Sequence, residues 1–482
     1  MTQGSITDLD TAIAVTRFGL GARPGDLAAA AGDARAWLMA QIRRTGADLP
    51  AGALPDSRDR MMALVAYRDQ IKTLKADAAA KPPPDESPAG EPMTAEGGRR
   101  PRTALQDERK QALRPLLEGV GDEILARTVL AARTDAPFRE RWTLFWANHF
   151  TVSAVKVQSA VLVGPFEREA IRPRVFGRFE DLLVASSTHP GMLIYLDQAR
   201  SAGPNSRAGR IRDMGLNENL AREILELHTV GADAGYTQAD VTEFARALTG
   251  YSIGGEHEPA EQQGRFLFRP QLHEPGERTV MGRRYADGEE DQARRILADL
   301  AAHPATADHI ARKLAIHFVA DDPPPALVQR LSRSFADSRG DLANLAKALI
   351  TAPEAWDPAP RKFKTPNEFL VSSYRAADAA PALAPREVVQ PLTALGQRPF
   401  SAPQPNGWSE QAADWAAPDA VVKRLTWAAA FSEAHAPAEP MRLAQGCLGA
   451  RLTPAVAQAI SRAESRPEAM TLMLMSPEFQ RR

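Results

Sequence analysis

The stretch Gly215–Gly250, GLNENLAREILELHTVGADAGYTQADVTEFARALTG, decides how the chain is read. Leu216, Leu220, Ile224 and Leu227 step by four, four and three, which lays an apolar stripe along one helix face. A second helix starts at Thr237, where Thr237 and Asp240 form a capping box with Asp in place of the usual Glu. Val241, Phe244, Ala245 and Leu248 make its buried face, and Gly250 stops it. Two amphipathic helices joined by a short glycine-bearing turn predict an α-helical fold.

The same stretch concentrates polar chemistry. Asn217, Glu218, Asn219, Arg222, Glu223, Glu226 and His228 fall within twelve residues, beside the leucine stripe. Glu218, Arg222 and Glu226 are spaced by four and predict a laddered ion pair. Glu226 and His228 are two apart, about 200° around a regular helix, so they cannot chelate one ion by themselves. A metal bound here needs ligands from other segments. The blander reading is a salt-bridged helix whose histidine caps a buried end. A DNA-reading helix-turn-helix is disfavoured, because the turn GADAGY is longer than that motif wants and Arg246 is the second helix's only base.

Outward from this pair, helical periodicity dominates. Helices are expected over 27–43, 56–75, 107–133, 138–150, 153–171, 178–187 and 191–199, and again from 289 to the end, including 304–318, 367–378 and 418–432. Residues 76–102, with KPPPDESPAGEP and GGRRPR, hold almost no large apolar side chain and predict a disordered Pro-rich loop. Residues 254–288 replace the helical period with Gly, His, Pro and the short runs RFLFRP and RTVMGRRY, which predict a small β or irregular lobe. The expected architecture is a mostly α, irregular multi-helix bundle. Its segments are an N-terminal helical part (1–75), the loop (76–102), a central core with the polar pair (103–253), the lobe (254–288) and a C-terminal helical region (289–482).

At 482 residues, 44% hydrophobic and 25% charged, the chain is long enough for a large core without metal or disulfide support. A net charge of −1 argues against a nucleic-acid binder driven by bulk electrostatics. Cys447 is the only cysteine, so no intrachain disulfide or thiolate cluster forms. No membrane span is expected, and the first twenty residues lack the pattern of a secretory signal. That favours a cytoplasmic location, with export as a passenger on a signal-bearing partner as the alternative.

A second candidate lies in RERWTLFWANHFTVSAVK, residues 139–156, where Trp142, Trp146, His149 and Phe150 share a helical face. Such a stripe is more often core than a cofactor box; His149 beside Asn148 is the candidate ligand or proton carrier. Its Ser-x-x-Lys match lacks every supporting element of the penicillin-recognising enzymes. His189 precedes Pro190 in a helix break, and His273 sits in the lobe. His303, His309 and His317 read as caps or a solvated face. The loop SAPQPNGW, Ser401–Trp408, is proline-locked and suits either packing or a cleft wall.

These segments resemble, in order and over nearly the whole chain, the bacterial domain-of-unknown-function family 1800. The resemblance rests on RFGLGARPG, RWTLFWANHFTVS, THPGMLIYLD, the opening pair, HEPGERTVMG, HPATADHIARKLAIHFVADDPPP, FKTPNEFLVSSYRA, LGQRPFSAPQPNGW and MSPEFQ. It implies a mostly helical protein, often encoded beside sulfatase-like proteins of family 1501 that carry twin-arginine export signals. Ala147 stands where the family usually shows histidine, which weakens a metal role at that helix.

Two functions are carried forward. One is a binding or assembly component that works with a sulfatase-like partner. The other is a metal-assisted hydrolase, in which His149, His189, His228 and His273 hold a divalent ion, Glu223 or Glu226 is general base, and Asn148, Asn217 and Arg222 touch the ligand. A purely structural helical scaffold is the third reading.

Overall fold

The computed structural model describes residues 8–80, 100–212, 215–381 and 384–482. The expected Pro-rich loop falls mainly on residues 81–99, outside the described residues. Its flanking helices, Ser57–Ala80 and Arg100–Arg133, run further into the span 76–102 than the composition predicts.

The protein is mostly α-helical, as the periodicity predicts. Five helices position the sites: α1 (Pro137–His149), α2 (Asn219–Glu223), α3 (Gln238–Leu248), α4 (Pro304–Phe318) and α5 (Pro366–Ala376). The expected lobe, 254–288, holds three of the four short strands among the described residues, which form two antiparallel pairs with the first strand lying just before it. β1 (Tyr251–Ile253) pairs with β2 (Phe266–Phe268), with Ser252 opposite Leu267. β3 (Arg278–Val280) pairs with β4 (Arg283–Tyr285) through a tight turn at Met281 and Gly282, both with positive φ. Among the described residues, no helix is long and apolar enough to cross a membrane.

Several expected helices are broken. The 27–43 helix is two pieces, Asp26–Ala30 and Ala34–Met39; Gly32 has φ 94° and Asp33 caps the second piece. The 153–171 helix is Val157–Ala160, Val163–Phe166 and then a wider π turn, Glu167–Ile171. Further π turns occupy Ala14–Phe18 and Ile224–His228. Periodicity alone does not separate an α turn from a π turn, because both keep the apolar residues on the core side. At α3, by contrast, both bonds of the Thr237–Asp240 capping box form as predicted.

Two main apolar cores hold the molecule. The larger centres on α1, where Trp142 stacks on Phe176 at 6.1 Å and its Nε1 donates to the Val175 carbonyl at 2.7 Å. The aromatic stripe of α1 is therefore core. The second lies among α5, part of Arg100–Arg133 and the C-terminal helices. Charge is buried beside the first core. Arg172, wholly buried, meets Glu140 at 2.7 Å and Glu167 at 2.6 Å. Such a triad is held by mutual compensation, since any one of these charges alone would be costly to bury.

Candidate functional site

A cleft of about 130 Å³ opens where the two cores meet. Its floor takes Val152, Val163 and Phe166 from the first core and Leu20, Ile124 and Leu392 from the second. Its polar walls come from distant parts of the chain: Arg141 and Asn148 on α1, Glu167 in its π turn, His317 on α4, Glu368 on α5, and Trp408 to Glu410 in the loop beyond the helix Arg386–Ala394.

The charged groups are linked. Glu368 Oε1 accepts from Arg141 Nη2 at 2.6 Å and lies 2.9 Å from Arg482 Nη2, while Oε2 caps α5 by accepting from the Thr365 N–H at 2.9 Å. Burial opposes ionisation of Glu368, but Arg482 and Arg141 outweigh it and hold the carboxylate well below the ordinary range. Glu410 Oε1 lies 2.8 Å from His317 Nδ1. Burial again opposes the charge, yet His317 and Lys362 bring Glu410 down to about 2. His317 Nδ1 donates to that carboxylate, which leaves its Nε2 buried and without a partner among the described residues.

Asn148, expected to touch a ligand, lines the cleft but is engaged in building it. Its Nδ2 donates to the Trp408 carbonyl at 3.0 Å and its Oδ1 accepts from the Trp408 N–H at 2.8 Å. This two-way clasp fixes the loop Ser401–Trp408 over α1. Gly407 is required for the approach: its φ is 82°, and a Cβ there would stand 2.5 Å from the Asn148 carbonyl oxygen.

The four histidines expected to hold a metal occupy three places. His149 and His228 do converge, with rings 6.1 Å apart, and His309 joins them 6.4 Å from His149. His309 is half-buried and His317 buried, so the expected solvated face of α4 is an interior one: His309, Lys313 and His317, spaced by four, turn toward α1. His189 lies elsewhere; its Nδ1 accepts from the Gly191 N–H at 3.0 Å and its Nε2 donates to Glu169 at 3.3 Å. His273 is in the lobe, its Nδ1 donating to the Thr249 carbonyl at 2.9 Å. Among the described residues, no three His, Cys, Asp or Glu side chains are placed to hold a metal ion.

The histidine group has a definite protonation pattern. His149 Nε2 lies 3.2 Å from the His228 carbonyl and His309 Nε2 lies 3.0 Å from the Leu227 carbonyl. A carbonyl only accepts, so both Nε2 atoms carry the hydrogen and both Nδ1 atoms keep a lone pair. Burial, reinforced by Lys313, pushes His149 well down, His228 to about 3 and His309 to about 4. Burial also brings Lys313 down to about 8. These are neutral imidazoles at pH 7.

The opening pair forms a separate, half-buried face. The expected Glu218–Arg222–Glu226 ladder makes only its first rung, at 3.2 Å, because the π turn redirects Glu226 to the Tyr236 hydroxyl, also at 3.2 Å. Arg222 also reaches Gln238 Oε1 at 2.9 Å, tying α2 to α3. Asn217 is structural: Nδ2 donates to the Leu196 carbonyl and Oδ1 accepts from the Asn219 N–H. Glu223 differs from these. Its side chain forms no hydrogen bond or ion pair among the described residues, and burial, then Glu226, pushes it up to about 7. Tyr195 beside it is pushed up to about 12 by burial and by Glu223.

Arg141, Glu368 and Glu410 escaped the sequence reading, and His317 was read there only as a cap or part of a solvated face. Thr365 and Glu368 spell a capping box in TPNE, which identifies the helix start but not the two arginines that Glu368 meets.

The chain matches the family model described as protein of unknown function (DUF1800) over residues 13–481, and it belongs to that family. No curated protein and no solved structure matches it.

Proposed function

We propose that this member of the DUF1800 family is a binding component, and that the cleft between its two cores is where it binds. One observation carries the reading: the pairs Arg141–Glu368 and His317–Glu410 line a concave space with an apolar floor, and Arg482 ties them together by meeting Glu368 and donating to the His317 carbonyl at 2.8 Å. Fixed polar groups above an apolar floor are what recognition of a small polar ligand, or of a partner's inserted segment, requires. A sulfatase-like protein is the partner we favour, because the family resemblance implies that company in the genome. Two variants test it, Trp408→Ala at the wall and Glu410→Gln at the charge. Each should lose partner recovery in co-purification from native lysate while keeping the far-UV spectrum. Recovery unchanged by both variants, or no partner from the unmodified protein under several growth conditions, counts against the reading.

A second reading, hydrolysis, is favoured by Glu223. A carboxyl titrating near 7, with Tyr195 and Glu226 beside it, suits a general acid or base at neutral pH. In the metal-assisted form, His149 and His228 are the ligands that stand near each other, and the Nδ1 lone pair on His149 is of the kind a divalent ion takes. Elemental analysis of protein purified without chelators checks the metal. Glu223→Gln checks the carboxyl against a panel of ester and phosphoester substrates. Metal-free protein with no turnover on that panel ends this reading.

A further inference from the structure

The stretch LGQRPFSAPQPNGW, residues 395–408, gives the cleft more than the clasp at Trp408. Gln397 and Phe400 from this stretch line the space together with Arg127 of the helix Arg100–Arg133. Phe400 has φ 56°, a left-handed conformation that an aromatic residue rarely adopts. The Ala154 N–H donates to its carbonyl at 2.7 Å, and the Arg127 guanidinium lies 5.6 Å from the centre of its ring. Backbone strain of this kind gathers at ligand sites, where the surrounding structure holds it in place.

Most charged groups of the cleft are committed to protein partners. Arg141 donates to the Gly19 carbonyl at 3.0 Å and to Glu368 at 2.6 Å. Glu167 gives Oε1 to Arg172 and Oε2 to Arg127. Glu410 is met by His317, with Lys362 within electrostatic reach. Arg127 differs. Only its Nε is used, donating to Glu167 at 2.8 Å; Nη1 and Nη2 donate to nothing among the described residues, and the side chain is 22% exposed. Gln397 offers a further donor. Its Oε1 accepts from the Asn367 N–H at 2.8 Å, which fixes the amide and leaves Nε2 without an acceptor among the described residues. Neither the Arg127 Nη atoms nor Gln397 Nε2 is sealed from solvent.

A guanidinium fork and a fixed amide N–H match the paired oxygens of a carboxylate. With Arg141 committed, one available cation suits a singly charged carboxylate rather than a dianion such as phosphate. The volume of about 130 Å³ is close to the roughly 150 Å³ that holds one benzene in a sealed apolar cavity. Resting on the reading of the cleft as the binding site, we propose that its ligand is a small organic carboxylate. Arg127 and Gln397 take the carboxylate, and an apolar body the size of one ring or a short branched chain lies by Phe400 on the floor of Ile124, Phe166 and Leu392.

The test is titration calorimetry on the full chain with benzoate and benzamide, which share the ring and differ in charge. Benzoate should bind saturably, one to one, and benzamide at least about tenfold more weakly, since it lacks the charge-assisted bonds. Two variants keep the local structure. Arg127→Lys holds a charge beside Glu167 but loses the fork, and Gln397→Glu keeps an acceptor for the Asn367 N–H but sets a negative charge against the ligand. Each should weaken benzoate at least about tenfold with an unchanged far-UV spectrum. The dipeptide N-acetylphenylalanylphenylalanine separates a free acid from the end of a chain, and it should bind more weakly than benzoate. Equal binding of benzamide, or tighter binding of the peptide, overturns the small carboxylate while leaving the cleft as the binding site. Benzoate binding that both variants leave unchanged overturns it too. So does the absence of saturable benzoate binding, and partner recovery with Trp408→Ala then judges the cleft reading separately.

Discussion

Replacing Glu368 by Gln isolates what the cleft's charge chain contributes. Gln keeps an oxygen to accept from the Thr365 N–H, so the cap of α5 survives. What disappears is the negative charge shared by Arg141 at 2.6 Å and Arg482 at 2.9 Å, whose side chains are only 2% and 1% exposed. Removing one partner of a buried ion pair leaves the other uncompensated, which costs about 3–5 kcal/mol. With two arginines stranded, Glu368→Gln should fall at or above that range, measured from the urea midpoint at pH 7 with an unchanged slope. The pH dependence has a fixed sign. Glu368 is held below its unfolded value of about 4.3, so its stabilisation is fully present above that pH and is lost as pH falls toward the folded value. The gap between the unmodified protein and the variant should therefore be constant near neutrality and narrow below about pH 4. A loss under about 1 kcal/mol, the range of an exposed ion pair, would refute the claim that this chain is buried and mutually dependent.

Asn148→Ala removes the clasp on Trp408 and should cost about 1–3 kcal/mol, with faster hydrogen exchange confined to the loop Ser401–Trp408. Gly407→Ala should do the same by a different route, since its Cβ meets the Asn148 carbonyl at 2.5 Å; thermal unfolding should rank it at least as damaging as Asn148→Ala. Glu223 should titrate near 7 by carboxyl-resolved NMR, and Glu226→Gln should lower that midpoint by removing a like charge. Because its folded pKa is raised, the native state holds more protons between the unfolded and folded values. Stability from this group therefore falls as pH rises toward 7, and Glu223→Gln should be more stable than the unmodified protein at pH 8, measured by denaturant midpoint. Trp142→Ala, at the centre of the larger core, should cost about 3–5 kcal/mol in the same assay.

The fold was legible where its causes are local. The capping box at Thr237 and Asp240 is written within four residues, and the stripe of Val241, Phe244, Ala245 and Leu248 needs nothing outside α3 to be read. The β3–β4 hairpin was legible for the same reason, since RTVMGRRY carries both strands and their turn, and RFLFRP carries β2; β1, which pairs with β2 across a longer loop, lay outside the expected lobe. The cleft was not, because Glu368 with its two arginines, the His317–Glu410 pair and the Arg482 bond to the His317 carbonyl join residues that lie far apart in the sequence. His309 and His317 misled for a related reason. Their neighbours Arg312 and Lys313 look like a solvated face, and only the packing of α4 against α1 shows that His309, Lys313 and His317 turn inward.

The π turns mark where local and tertiary demands disagree. An α-helix through Ala14–Phe18, Glu167–Ile171 or Ile224–His228 would keep regular hydrogen bonds but aim its side chains differently. Each wide turn instead delivers a buried polar group to distant partners. Arg17 reaches the Ala355 and Ala359 carbonyls, Glu167 reaches Arg127 and Arg172, and His228 offers its carbonyl to His149. A single extra residue in a turn is a small local penalty, whereas a buried arginine or glutamate without its partner costs several kcal/mol, roughly an order of magnitude more than a weak backbone preference. At Arg17 and Glu167, pairing the buried charge therefore outweighs the local cost of the wide turn. The angular arithmetic applied to Glu226 and His228, valid for a regular helix, therefore does not describe the face they present in a π turn.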